Sequence, residues 1–107
     1  MNADAARRSG ATISVVPLAS RPRLAPHVRL RFERARNRLF LANRGQLIEL
    51  DATATDVVRM CTGQHTVRAI IRAVTGNQVG REVKAVAREV LGCLNALAGA
   101  ALVLRGS

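Results

Sequence analysis

A change of hydrophobic period near residue 51 is the feature that most restricts how this chain can fold. Upstream of it, Val28, Leu30 and Phe32 alternate with Arg29, Arg31 and Glu33, the period of a strand with one buried and one wet face. Two further short runs, Arg38–Leu41 and Gln46–Leu50, flank Asn43-Arg44-Gly45, a sequence that tolerates positive φ. Short runs joined by turns of a few residues predict an antiparallel three-stranded meander. Downstream, the period becomes 3.6. Asp51 can accept from the free N–H groups of a helix start, and Ala54, Val57, Val58 and Cys61 follow at i, i+3, i+4 and i+7. Gly63 is expected to end that helix as its C′ residue.

Thr66 opens the same pattern again, with Val67, Ile70, Ile71 and Val74 as the stripe and Gly76 as the stop. A longer helix is predicted from about Arg81 to Ala98, with Val83, Val86, Ala87, Val90, Leu94 and Leu97 as its apolar face. Gly92 lies inside it, at a cost of ~1 kcal/mol relative to alanine. Leu102–Leu104 reads as a short extended segment packing back on the sheet. The prolines at 22 and 26 favour extended backbone just before each of them. Together these signals predict an α+β, winged-helix-like domain over residues 21–107, a three-stranded antiparallel sheet followed by three helices. Residues 1–20 carry no sustained period and are expected to form a flexible N-terminal tail.

Phe32 and Phe40 are the only aromatic residues, so the core must be aliphatic. The formal net charge of +10 favours acidic partners: nucleic acid, an acidic peptide or an acidic protein surface. No apolar run approaches the ~18 residues needed to cross a bilayer. The N-terminus also lacks the apolar region of a secretory signal, so a cytoplasmic protein with no membrane partner is expected.

Chemistry-bearing residues are few. His27 and His65 have no Ser, Cys or Asp at a spacing that suggests an activated nucleophile. Cys61, His65, Cys93 and His27 lack the close-paired spacing of a zinc site, and both cysteines fall on apolar stripes, as buried thiols do. The carboxylates are scattered, and Gly76–Gly80 lacks the Lys and Ser or Thr of a phosphate-binding loop. No catalytic residue, metal ligand or cofactor is expected, and the chain reads as a non-enzyme. Arg81, Lys84 and Arg88, at i, i+3 and i+7, form a basic stripe on the third helix. If the third strand lies at the sheet edge, an extended peptide can add to it as a further strand.

Several runs resemble the PqqD family, the peptide chaperones of pyrroloquinoline quinone biosynthesis. They are Arg21-Pro22-Arg23-Leu24-Ala25-Pro26-His27-Val28-Arg29-Leu30-Arg31-Phe32-Glu33, Leu47-Ile48-Glu49-Leu50-Asp51-Ala52-Thr53-Ala54, Cys61-Thr62-Gly63-Gln64-His65-Thr66-Val67, and Val90-Leu91-Gly92-Cys93-Leu94. The resemblance spans Arg21 to Leu104. It implies a winged-helix-like recognition element for ribosomally made, modified peptides. It further implies binding of the precursor peptide PqqA by strand addition and its presentation to PqqE, a radical S-adenosylmethionine enzyme. Carried onto this sequence, the peptide groove would involve Leu47, Ile48, Glu49 and Leu50 facing Lys84, Ala87, Arg88 and Leu91. The runs Leu39-Phe40-Leu41, Asn43-Arg44-Gly45 and Thr75–Val79 depart from the family pattern. That keeps open a PqqD-like adaptor of another modified-peptide pathway. A winged-helix DNA-binding protein is the alternative from another class, though apolar residues dominate between the basic positions of the third helix. A homodimer through that aliphatic helix stays open as well.

Overall fold

The computed structural model describes residues 16–106. Within them the chain forms β1 (Arg23–Leu24), β2 (Val28–Glu33), β3 (Arg38–Asn43), β4 (Gln46–Leu50), α1 (Ala52–Arg59), α2 (Val67–Asn77), α3 (Val83–Gly99) and β5 (Val103–Leu104). Strands β2, β3 and β4 make an antiparallel sheet in that order, and β1 pairs with β5 in a separate two-stranded ladder. The expected α+β arrangement of a three-stranded sheet followed by three helices is the one observed.

The β3–β4 turn sets the register. Arg44 and Gly45 both have positive φ, 51° and 84°, and Asn43 lies opposite Gln46. Two central residues of this handedness match the right-handed twist of the flanking strands. Leu41 is thereby set opposite Ile48, and Leu39 opposite Leu50. With Val28, Leu30 and Phe32 they share one face of the sheet. Val28, Leu41 and Leu50 are buried, whereas Phe32 is 54% exposed at an open pocket that it lines together with Leu39, Leu50 and Thr55 of α1. Phe40 points to the opposite face, where it is buried beside Arg31, Glu33 and Leu47, apart from the main core.

The core lies between the sheet and the three helices. Val57, Val67, Ile70, Val74, Val86, Val90 and Leu94 are fully buried. Asp51 accepts from Ala54 N–H at the start of α1, and Thr66 accepts from Ala69 N–H at the start of α2, as their sequence positions imply.

Two expectations need correction. The predicted tail of residues 1–20 is too long: residues 1–15 lie outside the described residues, but Val16 is buried in the core and Ser20 is buried too. The segment is held because it satisfies groups that α2 and α3 leave open. Val16 N–H donates to Asn95 Oδ1 at 2.9 Å. The carbonyls of Ser20 and Leu18 accept from Val67 and Arg68, whose N–H groups have no partner inside α2. Second, α1 ends at Arg59, not at Gly63. Leu24 N–H donates to Cys61 O, Arg23 bridges Thr62, and Gly63 N–H donates to Pro22 O, so pairing with β1 straightens the chain beyond Met60. Gly63 still adopts φ 85°, but within this loop. Of the expected extended segment Leu102–Leu104, Val103–Leu104 forms a strand, and it pairs with β1 rather than with the main sheet.

These contacts rank the residues by cost. In urea unfolding, Leu94→Ala should destabilise by about 2–5 kcal/mol. Thr66→Ala should cost about 1 kcal/mol through the lost cap. A Thr66→Ala cost equal to that of Leu94→Ala would contradict this account.

Candidate functional site

The sheet has two edges, and they differ. On β2, the Arg29 guanidinium turns back to donate to the carbonyls of Pro26 and Val28, at 2.6 and 3.2 Å. Neither β2 nor β4 has a partner strand on its far side among the described residues, and on β4 no side chain folds back in this way. An unpaired strand edge offers alternating backbone donors and acceptors. Leu47 is 53% exposed on one face of β4, while Ile48 packs against the core on the other.

Beside the end of β4 lies an open cleft of about 380 Å³, lined by Asp51, Thr53, Ala54, Glu89, Gly92 and Cys93. Its α3 side is one helical flank, since residues i, i+3 and i+4 stack on one face. Gly92 gives the cleft its depth: a Cβ built there meets nothing within 4 Å.

A closed ring of polar contacts rims the cleft. Gln78 Nε2 donates to Thr53 Oγ1 at 3.0 Å, and Thr53 Oγ1 donates to Glu89 Oε1 at 3.4 Å. Arg81 donates to both oxygens of Glu89 and, at 2.8 Å, to Gln78 Oε1. The ring ties the α2–α3 connection to α1 and α3. Arg81 precedes α3 and its guanidinium is engaged on the Glu89 flank, so it does not continue a stripe with Lys84 and Arg88. The Arg81 hydrogen bond is the main cause that lowers the Glu89 carboxyl below its ordinary value; desolvation opposes it, and the Arg81 charge and the Thr53 contact assist.

Burial pushes the Cys93 thiol up to about 11 and the buried Cys61 thiol up to about 12, the nearby Cys93 adding to the latter. Cys61 Sγ also donates to Val57 O. Both are protonated near neutral pH and poor nucleophiles. Among the described residues, no group of three or more His, Cys, Asp or Glu is placed to hold a metal. Among the same residues, no helix is long and apolar enough to cross a membrane.

The eight residues expected to form a peptide groove are divided between β4 and α3. Leu47, Ile48, Glu49 and Leu50 form the β4 edge strand. Glu49 is paired with Arg38 on the outer face of the sheet, and Leu50 is buried. Lys84, Ala87 and Leu91 lie on the α3 flank that carries Asn95, the residue holding Val16, and Arg88 faces outward between the two flanks. The flank bordering the cleft is instead Glu89, Gly92 and Cys93. Sequence periodicity marks both flanks equally, and Gly92 is what distinguishes the one that borders the cleft.

Two comparisons with known proteins agree with this geometry. The family model for PqqD, "Coenzyme PQQ synthesis protein D", matches residues 27–103. The chain is also similar to the solution structure of the PqqD truncation of Methylobacterium extorquens PqqCD, described as a functional, stand-alone recognition element for ribosomally synthesized and post-translationally modified peptides. That likeness has 30% identity and a TM-score of 0.64, and covers 78% of this chain and 88% of that one. No curated protein matches the chain significantly. The chain belongs to the PqqD family.

The carboxyl of Glu89 is depressed in the folded protein, so its contribution is present above the ordinary carboxylate pKa and is lost as pH falls through the lowered value. Followed by NMR, the Thr53 and Gln78 resonances should therefore move with a midpoint below the ordinary glutamate value of about 4.3. The movement should vanish in Glu89→Gln. A titration at the ordinary glutamate value would mean that the ring does not form.

Proposed function

We propose that this PqqD-family chain is a non-catalytic peptide chaperone that takes the precursor peptide PqqA as an added strand along β4 and presents it to the radical S-adenosylmethionine enzyme PqqE. The observation that carries this reading is the open β4 edge beside a cleft whose α3 wall contains a glycine. Family membership supports the same role.

The chemistry required is recognition alone. Backbone groups of Gln46–Leu50 bond the peptide's backbone, which supplies affinity with little dependence on sequence. Alternate peptide side chains then turn toward the helices, and those reaching Asp51, Ala54, Gly92 and Cys93 are selected by size. In this reading Leu47 and Ile48 flank the added strand on its two faces. Lys84, Ala87, Arg88 and Leu91 lie off the peptide's path. Strand addition fixes only the paired residues, leaving the rest of the peptide free to enter an active site.

Two measurements test it. Gly92→Leu should fill the cleft, lower affinity for PqqA by about tenfold or more, equivalent to about 1.4 kcal/mol, and leave the domain folded. Alkylation of Cys93 should be slow near neutral pH, rise toward pH 11, and fall when PqqA is bound. Unchanged Cys93 alkylation at saturating peptide would place the peptide elsewhere.

A further inference from the structure

We infer that the groove between α2 and the start of α3 is a second docking face, which takes an acidic protein segment bearing apolar anchors. The groove is open, about 250 Å³, and is lined by Arg68, Ile71, Arg72, Thr75 and Val83. Its floor is apolar: Val83 is 60% exposed, and the Thr75 hydroxyl is turned inward, donating to Ile71 O at 2.7 Å. Ala87 and Leu91, one and two turns beyond Val83, extend that floor along α3.

The rim is basic. Arg68 and Arg72 stand one turn apart on α2, and Lys84 and Arg88 one turn apart on α3, all four exposed. None of them forms an ion pair among the described residues. α2 contains no carboxylate. On α3, Glu89 is on the far flank and already held by Arg81, which leaves the exposed Glu82 at the helix start as the acidic group nearest in sequence. Four cations around an exposed valine and a partly buried isoleucine complement a segment with carboxylates outside and aliphatic side chains inside. The apolar floor argues for protein over nucleic acid, whose phosphates and base edges call for polar partners throughout.

This face lies across α3 from the Gly92 cleft, so both can be occupied at once. It extends the adaptor reading above, since a chaperone that holds a peptide at β4 needs another surface for the enzyme receiving it. The groove itself rests only on the residues named here.

Fluorescence anisotropy on the full chain tests it with three labelled probes. They are a synthetic amphipathic helix with Glu and Leu at helical spacing, the same helix with Lys for Glu, and a random duplex DNA. The acidic helix should bind and the lysine helix should not. Arg68→Glu combined with Arg72→Glu should weaken binding by about tenfold or more. Val83→Asn should weaken it by about threefold or more. Thermal unfolding and PqqA binding at β4 should be unchanged in these variants. Acidic-helix binding that ignores all three substitutions would overturn the inference. So would equal duplex binding lost in the same variants, or self-association abolished by them, which would seat a second copy in the groove. Loss of PqqA binding with acidic-helix binding intact would remove the β4 reading and leave the groove standing.

Discussion

The segment Val16–Ala25 is the tie on which the remaining elements depend. It has almost no regular structure of its own, yet its backbone reaches α2, α3, the loop after α1 and the end of the chain. Val16 bonds Asn95 on α3; Leu18 and Ser20 close the start of α2; Pro22 and Leu24 pair with the loop after α1; Ala25 N–H donates to Leu102 O. Buried backbone groups left without partners are costly, and here one strip of chain satisfies open ends of several elements. The helices are short, and α1 has only eight residues, so their ends matter as much as their faces.

How much of this was legible follows from where the signals reside. Strands β2–β4, the caps at Asp51 and Thr66 and the buried stripes were readable because period and capping are local properties. The end of α1 was not, because it is set by pairing with β1, some forty residues upstream. The burial of Val16 was hidden likewise, since its partner Asn95 is 79 positions away. The candidate site was half legible. The β4 edge could be located, but a helical wheel cannot say which flank of α3 meets it. Arg81 misled for a related reason: its spacing to Lys84 and Arg88 suggests a stripe, whereas it sits before the helix and turns to Glu89.

The charge distribution separates the two flanks of α3. On the cleft side the carboxylates of Asp51 and Glu89 are present, Glu89 neutralised by an arginine from the preceding connection. On the α2 side the basic residues outnumber their partners. A single helix thus divides two unlike environments, and the excess of arginine in the composition is not spread evenly around it. Aliphatic residues suffice for the core because valine and leucine fill a layer of this thickness without aromatics.

The long reach of Val16–Ala25 also bears on how the chain comes into being. Its partners lie at Cys61–Arg68, at Asn95 and at Leu102–Leu104. Synthesis runs from the N-terminus, so this segment is made before any of the partners that hold it. Until residue 104 has been added, β1 lacks the strand it pairs with, although all three helices are already made. The last ladder therefore closes only at the end of synthesis, and a nascent chain halted before β5 leaves Arg23–Leu24 with an unpaired edge.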